Sequence, residues 1–327
     1  MKGALAVCLV LVALVLSGCS DRRRVVVPEP AARMKGITLT PRSFSDADFA
    51  EFWQRAKLAG SVVTWSGDWM ELADTVAGGP KVTTEVAAAN QLVPIVEAQF
   101  FDQASGALLR PLDAANRAAY KRSAARFAST YHPAYLGFGI EVNVLYEKSP
   151  ADFDAFVPFF AEVADTVKAV SPGTRVFTIF QLELMKGLRG GLFGGVNDTT
   201  SAEWALLDRF PGSDLAAFTT YPALVFHDPA EILEGYYAQI AAHTTKPVAF
   251  TEIGWHSAAV PVGWESTEEE QSRFVTRFFE LTAGLDRRFA VWSFLYDQVA
   301  PVPFDSMGLI RLDGVARPAW GQWVAAP

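Results

Sequence analysis

Two short apolar runs in this chain each close on a single glutamate. YLGFGIEVN at 135–143 carries Glu141, and PVAFTEIGWHS at 247–257 carries Glu252, with Gly254 and Trp255 directly behind it. A lone strand-end glutamate is as often a structural hydrogen-bonding group as a functional one; two of the same design are more informative. Two carboxyl groups held close together split their pKa values, so that one keeps a proton while the other stays charged. A pair about 5–5.5 Å apart suits glycoside cleavage with retention, one carboxyl serving as acid/base and the other as nucleophile.

Positioning such a pair requires a scaffold, and the rest of the chain supplies its pattern. From Lys35 onward, apolar runs alternate with amphipathic stretches. Strands are expected at 35–40, 61–69, 92–100, 135–143, 174–184, 214–222, around 247–253 and at 288–297. Between them lie helical stretches. DADFAEFWQRAKLAG follows Ser45 as a cap, and 81–91 and 113–131 come next. ADFDAFVPFFAEVADTVKAV, with Pro158 inside it, follows Pro150. SAEWALLDRF, PAEILEGYYAQIAAH and a helix from Ser266 with Glu269 as its capping-box partner complete the series before RPAWGQW. Eight such repeats predict an α/β fold, a single (β/α)8 TIM barrel. An open doubly wound sheet is the alternative. It would place a glycine-rich phosphate loop after the first strand, and KGITLTPRSF has none.

In a barrel of this kind, functional groups gather at the C-terminal ends of the strands. Read there, the sequence offers Trp65 and Asp68, then Glu97, then Glu141 and Asn143, Gln181, Tyr221, and Glu252 with Trp255; Trp292 falls on the last strand. Indole faces stack on the apolar faces of sugar rings, and amides and carboxylates bond their hydroxyls. Glu183, in QLEL, competes with Glu141 as an acid. His132, His227, His243 and His256 show no metal-ligand spacing, no G-x-S-x-G elbow occurs, and no metal or cofactor is expected.

With these residues in place, the sequence resembles glycoside hydrolase clan A, the retaining (β/α)8-barrel glycosidases, most of all its endo-galactanase and cellulase-like branches. TEIGW at 251–255 is similar to the nucleophile strand of that clan. The resemblance implies Glu141 as acid/base and Glu252 as nucleophile. It implies that Tyr221 in TTYP hydrogen-bonds the nucleophile, and that Trp292 in VWSFLYD floors the subsite of the sugar under attack. MGLIRLDGVARPAW at 307–320 resembles the clan's closing segment. One departure stands out. The clan usually places Asn before the acid/base Glu, where this chain has Ile140; Asn143, on the same face if the strand continues, could take over part of that role.

The chain opens differently. Met1-Lys2 and an apolar run from Ala4 to Leu16 end in Leu16-Ser17-Gly18-Cys19, which resembles the bacterial lipobox. This implies a signal peptide over 1–18, a lipidated Cys19 and a tether to residue 33, with the barrel domain over 34–327. Ser20 after the cysteine implies sorting to the outer membrane if the source is Gram-negative, with the domain periplasmic or at the cell surface. Cys8 lies in the leader, so the mature domain would carry no disulfide. Of the 327 residues, 50% are hydrophobic and the net charge is −8, which argues against nucleic acid as a partner and for a soluble, monomeric domain.

The expectation is therefore a lipid-anchored retaining glycosidase acting on β-linked poly- or oligosaccharide. A non-catalytic glycan-binding lipoprotein on a degenerate barrel is the rival reading, and Ile140 is its best support. A barrel enzyme of other chemistry is the third.

Overall fold

The structure, a computed structural model, describes residues 25, 27–258 and 263–327. The expected leader and Cys19 lie outside the described residues. Among the described residues, no helix is long and apolar enough to cross a membrane.

All ladders between named strands are parallel. The sheet runs β5-β4-β3-β2-β1-β9-β8-β7-β6. The strands are β1 (Met34–Thr38), β2 (Val62–Asp68), β3 (Val93–Gln99), β4 (Tyr135–Phe138), β5 (Arg175–Phe177), β6 (Ile179–Gln181), β7 (Ala216–Thr220), β8 (Val248–Ile253) and β9 (Arg287–Trp292). The two ends of this order, β5 and β6, are consecutive in the chain and separated by Thr178 alone; β5 pairs with β4, and β6 with β7. The sheet thus curls into a nearly closed barrel. It has nine strands where eight are expected, because the fifth expected run breaks at Thr178 and ends at Gln181 instead of Leu184.

Alternation along each strand sorts the apolar residues into two cores. Met34, Val62, Val93, Ile95, Tyr135, Phe177, Ile179, Ala217, Ala249, Phe289 and Val291 fill the barrel interior. Tyr135 meets the edge of Phe289, ring centroids 5.0 Å apart, in that plug. The intervening residues face outward into a second cluster beneath the helices. Strands buried on both faces explain why the runs read as continuously apolar.

The covering helices are α1 (Asp46–Ala59), α2 (Gly79–Ala89), α3 (Ala114–Tyr131), α4 (Val142–Lys148), α5 (Pro150–Val170), α6 (Leu182–Met185), α7 (Glu268–Thr282) and α8 (Pro318–Ala325). Ser45 caps α1 as expected. In α5, Phe153, Phe156, Phe160, Val163 and Val167 recur at helical spacing and are buried, while Pro158 sits on the exposed side of an unbroken helix. The capping box of α7 is formed by Thr267 and Glu270, one residue beyond the expected pair.

Two expected helices do not form. SAEWALLDRF and PAEILEGYYAQIAAH give only short 3₁₀ turns, over Trp204–Arg209, Pro229–Glu231 and Ala238–Ala242. Gly235 in the second costs about 1 kcal/mol against Ala in a helix. Tyr236 and Tyr237 instead plunge inward, placing their hydroxyls on Glu183 of α6 and Thr220 of β7. The tail is pinned by Arg317, whose guanidinium grips Asp297 with two bonds of 2.8 Å and donates to the Gly308 carbonyl.

The aromatic layer under α5 is a close-packed stack of buried rings. Phe156 stacks on Phe100 with centroids 4.2 Å apart and meets Phe160 and Phe210. Phe156→Ala should lower unfolding free energy by about 3–5 kcal/mol, read by urea denaturation; a loss below ~1 kcal/mol would show that this layer does not carry the fold.

Candidate active site

The C-terminal ends of the strands form the barrel mouth, and local backbone decides which side chains reach it. Along β8, Ala249 belongs to the interior cluster, while Phe250 and Ile253 both belong to the outer one. Strict alternation cannot put residues three apart on the same face. The ladder with β7 shows how it happens: Phe218 pairs with Phe250, but Thr219 pairs with Glu252, leaving Thr251 as an extra residue in a β-bulge. The bulge shifts the parity so that Glu252 shares the inward face with Thr219.

Glu141 arrives by a different route. β4 stops at Phe138, and Gly139 (φ 79°) and Glu141 (φ 58°, ψ 48°) take left-handed conformations before α4 begins. Such a conformation costs a non-glycine residue of order 1–3 kcal/mol and is found preferentially at functional sites. Gln99 holds this turn: its amide donates to the Ile140 carbonyl at 2.9 Å and accepts from the Ile140 N–H at 3.3 Å. The Ile140 side chain is buried in the barrel interior.

The two glutamates meet through Thr219. Its hydroxyl donates to Glu141 Oε1 at 2.6 Å, and its backbone pairs with Glu252. Gln103 Nε2 donates to the other Glu141 oxygen at 3.0 Å. The Tyr221 hydroxyl donates to Glu252 Oε2 at 2.5 Å and lies 2.7 Å from Ser293 Oγ. A third carboxyl joins them. Glu97, fully buried on the inward face of β3, accepts from Ser66 Oγ at 3.1 Å.

Charge is distributed unevenly among the three. Burial raises the Glu252 carboxyl above its ordinary range, and the Tyr221 hydroxyl counters this by stabilising the anion. Burial, then the charge of Glu252, push Glu141 up to about 7, against the hydrogen bonds from Thr219 and Gln103. The same two causes drive Glu97 well above the usual carboxylate range. Among the three, Glu252 is the one whose anion Tyr221 stabilises, Glu97 is pushed strongly toward the protonated form, and Glu141 is lifted to about 7, where it can hold or release its proton near neutrality.

Other expected site residues lie elsewhere. Asn143 is on α4, not on a continued strand; it is fully buried, donating to the Gln181 carbonyl at 2.9 Å and accepting from its N–H at 2.8 Å. Gln181 caps α6 with its side-chain oxygen and donates to Glu183, so neither amide faces the mouth. Asp68 is occupied by a two-bond fork from Arg110, both bonds 2.7 Å, and by the N–H of Met70.

Trp292 and Trp255 are fully buried behind the sheet. Trp292 packs on Phe274 and Trp323, and Trp255 on Phe274. Since Phe289 and Val291 face the interior, alternation turns Trp292 outward, and Ser293 is the residue that reaches Tyr221. Trp65 also projects outward from β2, but its edge lines a surface groove that adjoins the mouth. Glu183 is buried among four donors: Thr220, Tyr236, Gln181 and the N–H of Tyr221. That leaves it a structural knot holding Tyr221's backbone, not an acid open to a ligand.

Gln103, Thr219, Ser66 and Ser293 were not among the expected site residues. Thr219 and Ser293 follow from strand parity once Ala217 and Val291 are placed inside. Gln103 sits in a loop, and nothing in its spacing marks it. Among the described residues, no group of three or more His, Cys, Asp or Glu is arranged to hold a metal.

No protein-family model matches this chain, and no curated protein does. Solved structures do match. An exo-β-1,4-mannosidase from Opitutaceae bacterium strain TAV5 superposes with a TM-score of 0.62 at 14% identity, over 93% of this chain and 61% of its own. A family 39 glycoside hydrolase from Bacteroides cellulosilyticus WH2 gives 0.62 at 18% identity, over 92% of this chain and 65% of its own. The β-glycosidase BGL167 gives 0.57 at 13% identity and 84% of each chain. This chain therefore spans less than two thirds of the first two proteins. At these identities the likeness is one of fold: a parallel α/β barrel shared with these glycosidases.

Two titrations test the charge distribution. Removing the Tyr221 hydroxyl withdraws a bond that favours ionised Glu252, so Tyr221→Phe should raise the Glu252 pKa further. Side-chain carbonyl NMR of labelled glutamate measures it, and an unchanged or lowered value refutes the assignment. For Glu141, the folded pKa of about 7 exceeds the ordinary 4.5. The folded state then binds the extra proton between these values, so stability is highest below the lower pH and falls as pH rises through the upper one. Glu141→Gln should remove part of that fall, on the order of 3 kcal/mol, visible in denaturation midpoints measured from pH 4 to 8. Parallel pH dependences of parent and variant would contradict the raised value.

Proposed function

We propose that this chain is a retaining glycoside hydrolase acting on β-linked poly- or oligosaccharide. One observation carries the reading: two strand-end glutamates linked by Thr219 in the barrel mouth, one accepting a hydrogen bond from Tyr221 and the other lifted to about 7. That division matches what double displacement requires of its two carboxyls. The glycosidases that share the fold make the same chemistry the natural first assignment.

In the first step, a Glu252 oxygen attacks the anomeric carbon as the glycosidic C–O bond breaks, and the Glu141 proton passes to the leaving oxygen. In the second, Glu141, now a carboxylate, takes a proton from water. The water oxygen attacks the same carbon and frees Glu252. Tyr221 orients Glu252 and keeps it anionic before attack, while Thr219 and Gln103 fix the Glu141 carboxyl. Ile140, facing the barrel interior, supplies no amide to the sugar 2-hydroxyl, and Asn143 is too engaged to replace it. Transition-state bonds to that hydroxyl can supply several kcal/mol, so slow turnover is expected. The lipobox-like leader adds the proposal that the enzyme is anchored through Cys19 to the membrane of a bacterial envelope.

Ile140 is also what favours the second reading, a glycan-binding barrel without turnover. A 2-deoxy-2-fluoro β-glycoside separates the two. An enzyme should be labelled covalently on Glu252, located by peptide mass spectrometry, and Glu252→Ala and Glu141→Ala should each lose at least about 100-fold in kcat on an aryl β-glycoside. Absence of label and of any turnover across a β-glycoside panel would leave only the binding reading.

A further inference from the structure

Beside the mouth, between the approach to α1 and the start of α2, lies a cavity of about 500 Å³, within the usual range for small-ligand pockets. We infer that this groove is a second sugar subsite, built for a neutral ring of a β-linked chain adjoining the ring held over the glutamates. The inference rests on the glycosidase reading for the identity of its ligand and extends it to substrate class.

Three observations support it. The first is continuity. Ser66 lines the groove and donates to Glu97, so one residue of the groove wall is bonded directly to a carboxyl of the mouth. The second is the aromatic lining. Phe44 is 76% exposed, the one exposed aromatic side chain among the described residues, and it leans on Phe49 with centroids 6.2 Å apart. Phe49 and Trp65 line the groove with it. Trp65 is locked in place: a Cβ at Gly67 would fall 2.4 Å from its Cζ2, and one at Gly79 would fall 2.2 Å from its Nε1. Two positions without side chains thus let the backbone close on the indole, giving a fixed wall edge that loses little freedom when a ring docks.

The third observation concerns charge. Glu71 is the only ionisable residue lining the groove, and no cation lines it. A uronic acid would bring its carboxylate beside Glu71 and toward Glu97, Glu141 and Glu252 with nothing to neutralise it. A neutral hexose or pentose meets no such cost, since Phe44 and Phe49 offer it apolar surface and Ser66 and Glu71 are polar groups for its hydroxyls. Several fold neighbours are glucuronidases; the lining of this groove argues against a uronic acid here.

The test compares chain lengths and charges. Neutral β-linked oligosaccharides of one to six rings and their uronate counterparts are titrated against Glu252→Gln by calorimetry and assayed for hydrolysis by the parent. Affinity should step up by about tenfold between one and three neutral rings and stay weaker for uronates. Phe44→Ala should abolish that step, whereas Leu233→Ala, an equally exposed apolar control at 74%, should keep it. A neutral-chain step that survives Phe44→Ala, stronger binding of uronates, or no binding of either class overturns the inference. Phe44-dependent binding of neutral chains without hydrolysis by the parent would uphold the subsite and overturn the hydrolase. Hydrolysis with no dependence on Phe44 would do the reverse.

Discussion

The constraint behind this site is the two-residue period of a β-strand. A residue at a strand end reaches the barrel mouth only if its parity is inward, and Glu252 has the wrong parity on a regular β8 counted from Ala249. The extra residue at Thr251 corrects it. Everything else at the mouth depends on that correction. Tyr221 has a carboxylate to bond, Thr219 has Glu252 beside it as a ladder partner, and Glu97 and Glu141 feel a neighbouring charge that adds to burial in raising their pKa values. A bulge that seems a defect in the ladder is what assembles the electrostatics.

The same period explains what could and could not be read from the chain. Alternation of apolar runs with amphipathic stretches was enough to place the strands and the parallel barrel, because strands buried on both faces leave an unmistakable apolar signature. The two mouth glutamates were legible as the polar ends of such runs. Side-chain direction was not. Trp292 and Trp255 read as cleft platforms by proximity to strand ends, yet parity and the bulge put them behind the sheet against Phe274. Asn143 seemed to share a face with Glu141 only if β4 continued, and the left-handed turn at Gly139 and Glu141 ends it.

Buried polar chemistry was the other blind spot. Gln181 and Glu183 look like mouth residues in one dimension. In the fold they belong to a closed hydrogen-bond network with Thr220, Tyr236 and the backbone of Tyr221. That network also accounts for the missing helix after β7: a segment whose Tyr236 must reach inward to a buried carboxylate, and Tyr237 to Thr220, cannot also wind with them along one helical face. Helical pattern matching weighs local spacing, and here a long-range demand for hydrogen-bond donors prevailed.

The backbone at Glu141 has a consequence for how such a chain can drift. A left-handed conformation favours glycine or asparagine, and a buried carboxyl beside an anion favours a neutral side chain. Both preferences push in the same direction, away from glutamate. A lineage selected for stability alone would gain by abandoning this residue in a single step, keeping barrel, bulge and groove intact. Position 141 therefore records a trade: a side chain ill suited to the local backbone and its surroundings stands where the chemistry places it.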